Sequence, residues 1–165
     1  MRFLIIICLL TVSCSKSTKK IESINKSIDY LELNIFVKDS LPILIVLDPN
    51  YNQVFNLWGD IDVLKKATIL SKTDTRQLRY FIDSYKQEID EINEIHIPEV
   101  LNIPSIIGRF RVFKTDILKA DTLEELNQDN LKGFKNNLKK IADSYNALIS
   151  RMNAVAKESV KLKMN

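Results

Sequence analysis

The chain has 165 residues, 45% hydrophobic and 27% charged, with three glycines, four prolines and a formal net charge of +3. That length and apolar content fit one domain with a buried core and exclude general disorder or a collagenous or Gly/Ser-rich fibre; so few turn residues also argue against an all-β sandwich. Two cysteines and one histidine leave no material for a zinc finger, a disulfide framework or a Cys/His metal cluster.

The chain opens on one basic residue, Arg2, followed by the apolar run FLIIICLL at residues 3–10 and then Thr11-Val12-Ser13-Cys14. A positive charge, a short apolar run and a small residue before a cut site describe a secretory signal. The run is too short to cross a bilayer core of ~30 Å as a helix. Residues 10–14, LTVSC, resemble the lipobox of bacterial lipoproteins, with Thr11 standing where that family usually has Leu. The resemblance implies cleavage before Cys14 and acyl chains on the new terminal Cys14, with Cys8 lost in the discarded signal. At about 0.8 kcal/mol per buried methylene, several acyl chains make such anchoring effectively permanent. By resemblance to lipoprotein sorting in Gram-negative bacteria, Ser15 rather than Asp after the cysteine, with no acidic cluster following, implies the periplasmic face of the outer membrane. Residues 1–13 are therefore expected to be a signal peptide, 14–20 a lipidated Cys and polar tether, and 21–165 one helical domain.

From residue 21 the apolar spacing is helical. Ile21, Ile24, Ile28, Leu31 and Ile35 step by three and four, which predicts one buried stripe. Pro42 disfavours helix in the residue before it and interrupts the pattern. Residues 43–47, ILIVL, fit a buried strand or a short buried helix; Pro42 resembles a helix start and inclines them to helix. Val54, Leu57, Trp58, Ile61, Leu64 and Thr68 return to helical spacing, weakened at Gly59. Asp74 and Gln77 suggest a capping box. After them Leu78, Phe81, Ile82, Tyr85, Ile89 and Ile92 mark a long helix ending near Glu94, and Pro98 and Pro104 bracket an extended connector.

Ile106, Phe110, Phe113, Ile117 and Ala120 predict the next helix, and Thr122 with Glu125 offers a second capping box. The clearest signal follows. Leu131, Phe134, Leu138, Ile141, Tyr145, Leu148, Met152 and Val155 step by three and four without a break, a helix of about 40 Å at 1.5 Å per residue. Short connections between long amphipathic helices imply antiparallel neighbours. The expected fold is all-α: an up-and-down antiparallel bundle of about four main helices, with short helical or irregular pieces at 41–70. Internal packing of the last helix is favoured over a parallel coiled-coil dimer, and the sequence leaves the oligomeric state open.

No catalytic residue, metal ligand or cofactor is assigned. A catalytic centre needs clustered nucleophile and base, and His96 is the only imidazole, set beside a Pro at a helix end. The glycines are too scattered for a phosphate loop. The Glu88, Glu91 and Glu94 ridge is read as a solvated face rather than a calcium site, and Arg109 as a residue laying its stem over apolar surface.

Charge is distributed unevenly. Residues 130–165 hold eight basic and two acidic side chains, whereas residues 83–99 hold one basic and six acidic. Two helices of opposite charge set each other's register, or the lysines face something else. On the first account the charges concern pairing specificity more than stability. On the second, Lys132, Lys135, Lys139 and Lys140, or Lys157, Lys161 and Lys163, meet anionic lipid or an acidic partner. The secretory route argues against nucleic acid. The expected function is a lipid-anchored helical adaptor or structural binding module of the bacterial cell envelope, held to the membrane and recognising an envelope protein. The alternative is an accessory or immunity lipoprotein of a secretion or toxin system. An enzyme is not expected.

Overall fold

The computed structural model describes residues 30–120 and 126–164. The signal peptide, Cys14 and the tether, the stripe from Ile21 to Ile28 and the Thr122–Glu125 capping box lie outside the described residues. Helix makes up 73% of the structure, and no strand occurs among the described residues, so the fold is all-α. In chain order it contains α1 (Tyr30–Ile35), a π-helical turn (Phe36–Ser40), a 3-10 turn (Pro49–Tyr51), α2 (Asn52–Phe55) and α3 (Ile61–Lys65). A second 3-10 turn (Lys66–Ser71), α4 (Leu78–Glu91), a third 3-10 turn (Glu94–His96), α5 (Pro104–Leu118) and α6 (Leu131–Met164) complete it.

The three long helices form where the spacing predicts them. α4 buries Leu78, Ile82, Tyr85 and Ile89; α5 buries Ile106, Phe110, Phe113 and Ile117. All eight stripe residues of α6, from Leu131 to Val155, are buried, joined by Ala142, Ile149 and Ala156. α6 has 34 residues, longer than its stripe, and reaches about 51 Å. It packs along α5, and α5 packs on α4, so α5 is the middle of the three. Pro104 begins α5, where its missing N–H costs nothing. Aromatic rings tie these layers together: Phe113 lies between Tyr85 (6.3 Å) and Tyr145 (5.5 Å), and Trp58 meets Phe110 edge-on at 5.7 Å.

The first half of the chain departs from its periodicity. In α1 the expected stripe faces out: Leu31 is 63% exposed and Ile35 51%, while Leu33 and Val37 are buried. The π-helical turn, closed by the Leu41 N–H donating to the Phe36 carbonyl at 2.9 Å, turns Val37 inward with Leu33. The stretch from Val54 to Thr68 breaks at Gly59 into short pieces, which buries Val54, Trp58, Ile61 and Leu64 but leaves Leu57 outside. Asp74 does not cap α4. Its Oδ1 accepts from the Arg76 amide in a local turn, and α4 starts only at Leu78 with no side-chain cap. Residues 98–102 are a compact turn rather than an extended connector, because the Leu101 and Asn102 amides both donate to the Pro98 carbonyl.

Residues 41–47 are neither helix nor strand. They run as an extended strap along α6. Leu41 has φ −73° and ψ 132°, close to polyproline II. Leu41 and Leu47 are buried and Leu44 packs against the core, whereas Ile43 and Val46 point outward at 91% and 63% exposure. That burial repeats every third residue, the period of polyproline II. The expected helix does not form here; the strap's polar groups find partners on α6 instead of within a helix.

Candidate functional site

The strap is held by two asparagines of α6. Asn146 donates through Nδ2 to the Ile43 carbonyl (2.9 Å) and accepts at Oδ1 from the Ile45 amide (2.8 Å). Asn153 does the same one step along, donating to the Val46 carbonyl (3.0 Å) and accepting from the Asp48 amide (2.9 Å). Each carboxamide thus imitates the donor–acceptor face of a neighbouring strand. The spacing explains the match. Seven residues of α-helix advance about 10.5 Å, and three residues of polyproline II or strand about 9–10 Å. A heptad on α6 therefore meets a three-residue repeat on the strap.

These asparagines border a basic edge. At 100° per residue, Lys132, Lys139, Lys157 and Lys161 fall within about 40° of one another around α6, over about 44 Å of its length. All four are exposed, and none pairs with a carboxylate among the described residues. Asp143 and Ser150 lie on the same line between the two pairs, both exposed. Lys140 is exposed but lies to one side. Lys135 differs from its neighbours. Its ammonium meets Glu32 of α1 at 2.5 Å and stands 5.6 Å from the centre of the Phe36 ring, so it fastens α1 to α6. Lys163 lies in the last turn of α6; its side chain lies outside the described residues.

Acidic groups of α4 and its C-terminal turn take partners elsewhere. Glu88 pairs with Lys66, Asp83 with Lys86 and Asp90 with Lys114, and Glu94 forms a two-pronged bridge to Arg111 at 2.7 and 2.8 Å. The Arg111 guanidinium, chiefly through those hydrogen bonds, holds the Glu94 carboxyl below its ordinary range. Mutual neutralisation of α4 and α6 is therefore not how the lysines are used, since α5 supplies two of the cations and lies between them. Of the Glu88, Glu91 and Glu94 ridge, Glu88 and Glu94 pair with lysine and arginine, and Glu91 is exposed. Arg109 donates to the Ser105 carbonyl of its own helix at 2.8 Å. His96 is exposed, with Nδ1 3.9 Å from Asp60.

Beneath the strap lies a cavity of about 210 Å³ lined by Val46, Leu47, Asn52, Lys65, Thr68 and Tyr145. The Tyr145 hydroxyl is buried without a hydrogen-bond partner, and burial pushes its pKa up to about 12. The nearby Tyr85 hydroxyl donates to the Leu64 carbonyl at 3.2 Å and is raised further, by burial first and then by Tyr145 and Glu88. A second, mainly apolar groove of about 210 Å³ runs between α5 and α6 past Pro104, Gly108, Val112 and Ala147.

Sequence reasoning singled out the lysines and missed the asparagines. Asn146 and Asn153 stand a heptad apart on the polar side of an amphipathic helix, a pattern that ordinary solvated residues also make. The three-residue spacing of Leu41, Leu44 and Leu47 was the other half of the signal. No helix among the described residues is long and apolar enough to cross a membrane. Comparison with protein-family models, with curated proteins and with solved structures finds no match to this chain.

Proposed function

We propose that the chain is a lipid-anchored, non-enzymatic helical binding module of the bacterial cell envelope. Acyl chains on Cys14 fix it at the periplasmic face of the outer membrane, and α1 joins α4, α5 and α6 in an up-and-down arrangement of about four helices. Its mechanism is presentation: the anchor holds a rigid domain at the membrane for an envelope protein to meet. One observation carries the functional part. Four lysines align along the outer edge of α6 with no carboxylate within ion-pair distance among the described residues, while Glu88, Asp83 and Asp90 of α4 are paired to Lys66, Lys86 and Lys114. Charges left unpaired over such a length suit an anionic counter-surface and contribute mainly to association and orientation.

The test is made in a bacterium fed an alkyne-tagged fatty acid. Wild type should take up label and fractionate with membranes, and Cys14→Ala should do neither. Crosslinking in the same cells should recover one envelope protein in equal amount to the chain. Equal labelling of the two forms would remove the anchor from the reading; a substrate turned over with no partner present would remove the binding module.

A further inference from the structure

We propose that the outer edge of α6 and the strap beside it form a membrane-facing surface, resting on anionic phospholipid headgroups. This rests on the lipid-anchored reading and adds the orientation of the domain to it. Three features of the surface point to lipid rather than to an acidic protein.

The first is its layout. Lys132 and Lys139 stand at one end, Lys157 and Lys161 at the other, and the strap is clamped alongside the span between them by Asn146 and Asn153. A line of lysines beside exposed aliphatic side chains suits an interface, where the aliphatic groups enter the headgroup boundary and the lysines reach phosphates. Long lysine stems need no fixed partner geometry, which suits a fluid array of phosphates. Asp143 is the one carboxylate on that line.

The second is the exposure of the strap's β-branched residues. Ile43 is 91% exposed, Val46 63% and Ile45 39%, all lying between the inward positions 41, 44 and 47 of the strap's three-residue period. Ile43 and Val46 are held outward because Leu41 and Leu47 fill the inner positions and the asparagines bind the Ile43 and Val46 carbonyls. Two adjacent aliphatic side chains kept on an immobilised backbone are presented with little ordering left to do.

The third is where the anchored part of the chain enters. Glu32 of α1 bonds to Lys135 of α6, next to Lys132 and Lys139. Fifteen residues lie between Cys14 and Tyr30, so the anchor lies within roughly 55 Å of α1 even when they are fully extended. An anchor within that distance is compatible with the edge beside α1 lying against the same membrane.

The experiment uses the full acylated protein reconstituted into vesicles. A fluorophore sensitive to polarity is attached at Ile43→Cys, and in a control at Ile95→Cys, which is exposed on the turn after α4. Vesicles are either pure phosphatidylcholine or an equal mixture with phosphatidylglycerol, each with brominated acyl chains as quencher. On the anionic vesicles the probe at position 43 should shift to the blue and be quenched, while the probe at 95 stays in water. High salt, or Lys132, Lys139, Lys157 and Lys161 together changed to Glu, should reduce that quenching by about threefold or more. A chain that does not float with vesicles overturns the anchor and this proposal together. Floating with position 43 unquenched overturns the membrane surface alone and leaves the edge to an acidic protein. Shielding that ignores lipid charge but rises with protein density would assign the surface to a second copy and equally overturn it.

Discussion

Truncating the asparagine clamps tests the most specific geometry in the molecule. Asn153→Ala removes two hydrogen bonds to the strap, from Nδ2 to the Val46 carbonyl and from the Asp48 amide to Oδ1. A net contribution of about 0.5–1.5 kcal/mol per bond predicts a loss of about 1–2 kcal/mol, toward the lower end because Val46 is exposed and water replaces part of the bonding. Asn146→Ala should cost a similar amount. Both clamps hold one strap, so the double variant should lose less than the sum, since a strap freed at one end gains less from the other. Urea unfolding gives the total and hydrogen exchange gives the place. In Asn153→Ala the Asp48 amide should exchange faster while the α5 amides keep their protection. Losses under about 0.3 kcal/mol in both alanine variants, with exchange at Ile45 and Asp48 unchanged, would refute the clamp.

Three further outcomes are expected. Tyr145→Phe should leave stability unchanged or slightly higher, because its buried hydroxyl has no partner, whereas Tyr85→Phe should lose about 0.5–1.5 kcal/mol with its bond to the Leu64 carbonyl; thermal melts of the two variants decide it. The neutral form of Tyr145 is favoured by folding, so its contribution is complete below pH 10 and disappears as pH rises toward about 12; base titration should show a smaller loss in Tyr145→Phe than in wild type, the remainder coming from buried Tyr85. Leu138→Asp should unfold the domain or come close to it, since it places an unpaired charge at a fully buried position between α5 and α6, while Lys139→Ala at the exposed next position should stay within about 0.5 kcal/mol of wild type.

Legibility in the sequence follows how far an element's burial depends on its own period. α4, α5 and α6 each bury one face against neighbours of the same kind, so steps of three and four carry the whole pattern from Leu78 to Val155. α1 misleads for a physical reason: Leu31 and Ile35 form a flawless stripe, but the π-helical turn hands the inner face to Leu33 and Val37. Similarly, the Asp74 and Gln77 pair has the spacing of a cap, yet the Asp74 side chain is taken by the next turn. The lysines were visible as composition, but which of them stay unpaired was not. Lys135 and Lys139 look alike in the sequence, and only the approach of Glu32, more than a hundred residues away, separates them.

The strap could not be read from its own residues, because its conformation is written in two places. ILIVL at residues 43–47 would bury every side chain if it were a strand of a covered sheet, and no second strand exists among the described residues to accept its polar groups. What replaces the missing strand is a helix that carries a carboxamide every seventh residue. Two repeats with unequal residue counts, seven and three, advance nearly the same distance, so the backbone is satisfied without a sheet. Half of the strap's side chains are then free to face outward, and Ile43 and Val46 do. Residues that look like core by composition thus become surface by geometry, beside lysines that have no internal use. Hydrophobic pattern alone assigns ILIVL to the interior; the asparagines on α6 reverse that assignment, and the membrane surface proposed for this edge follows from the reversal.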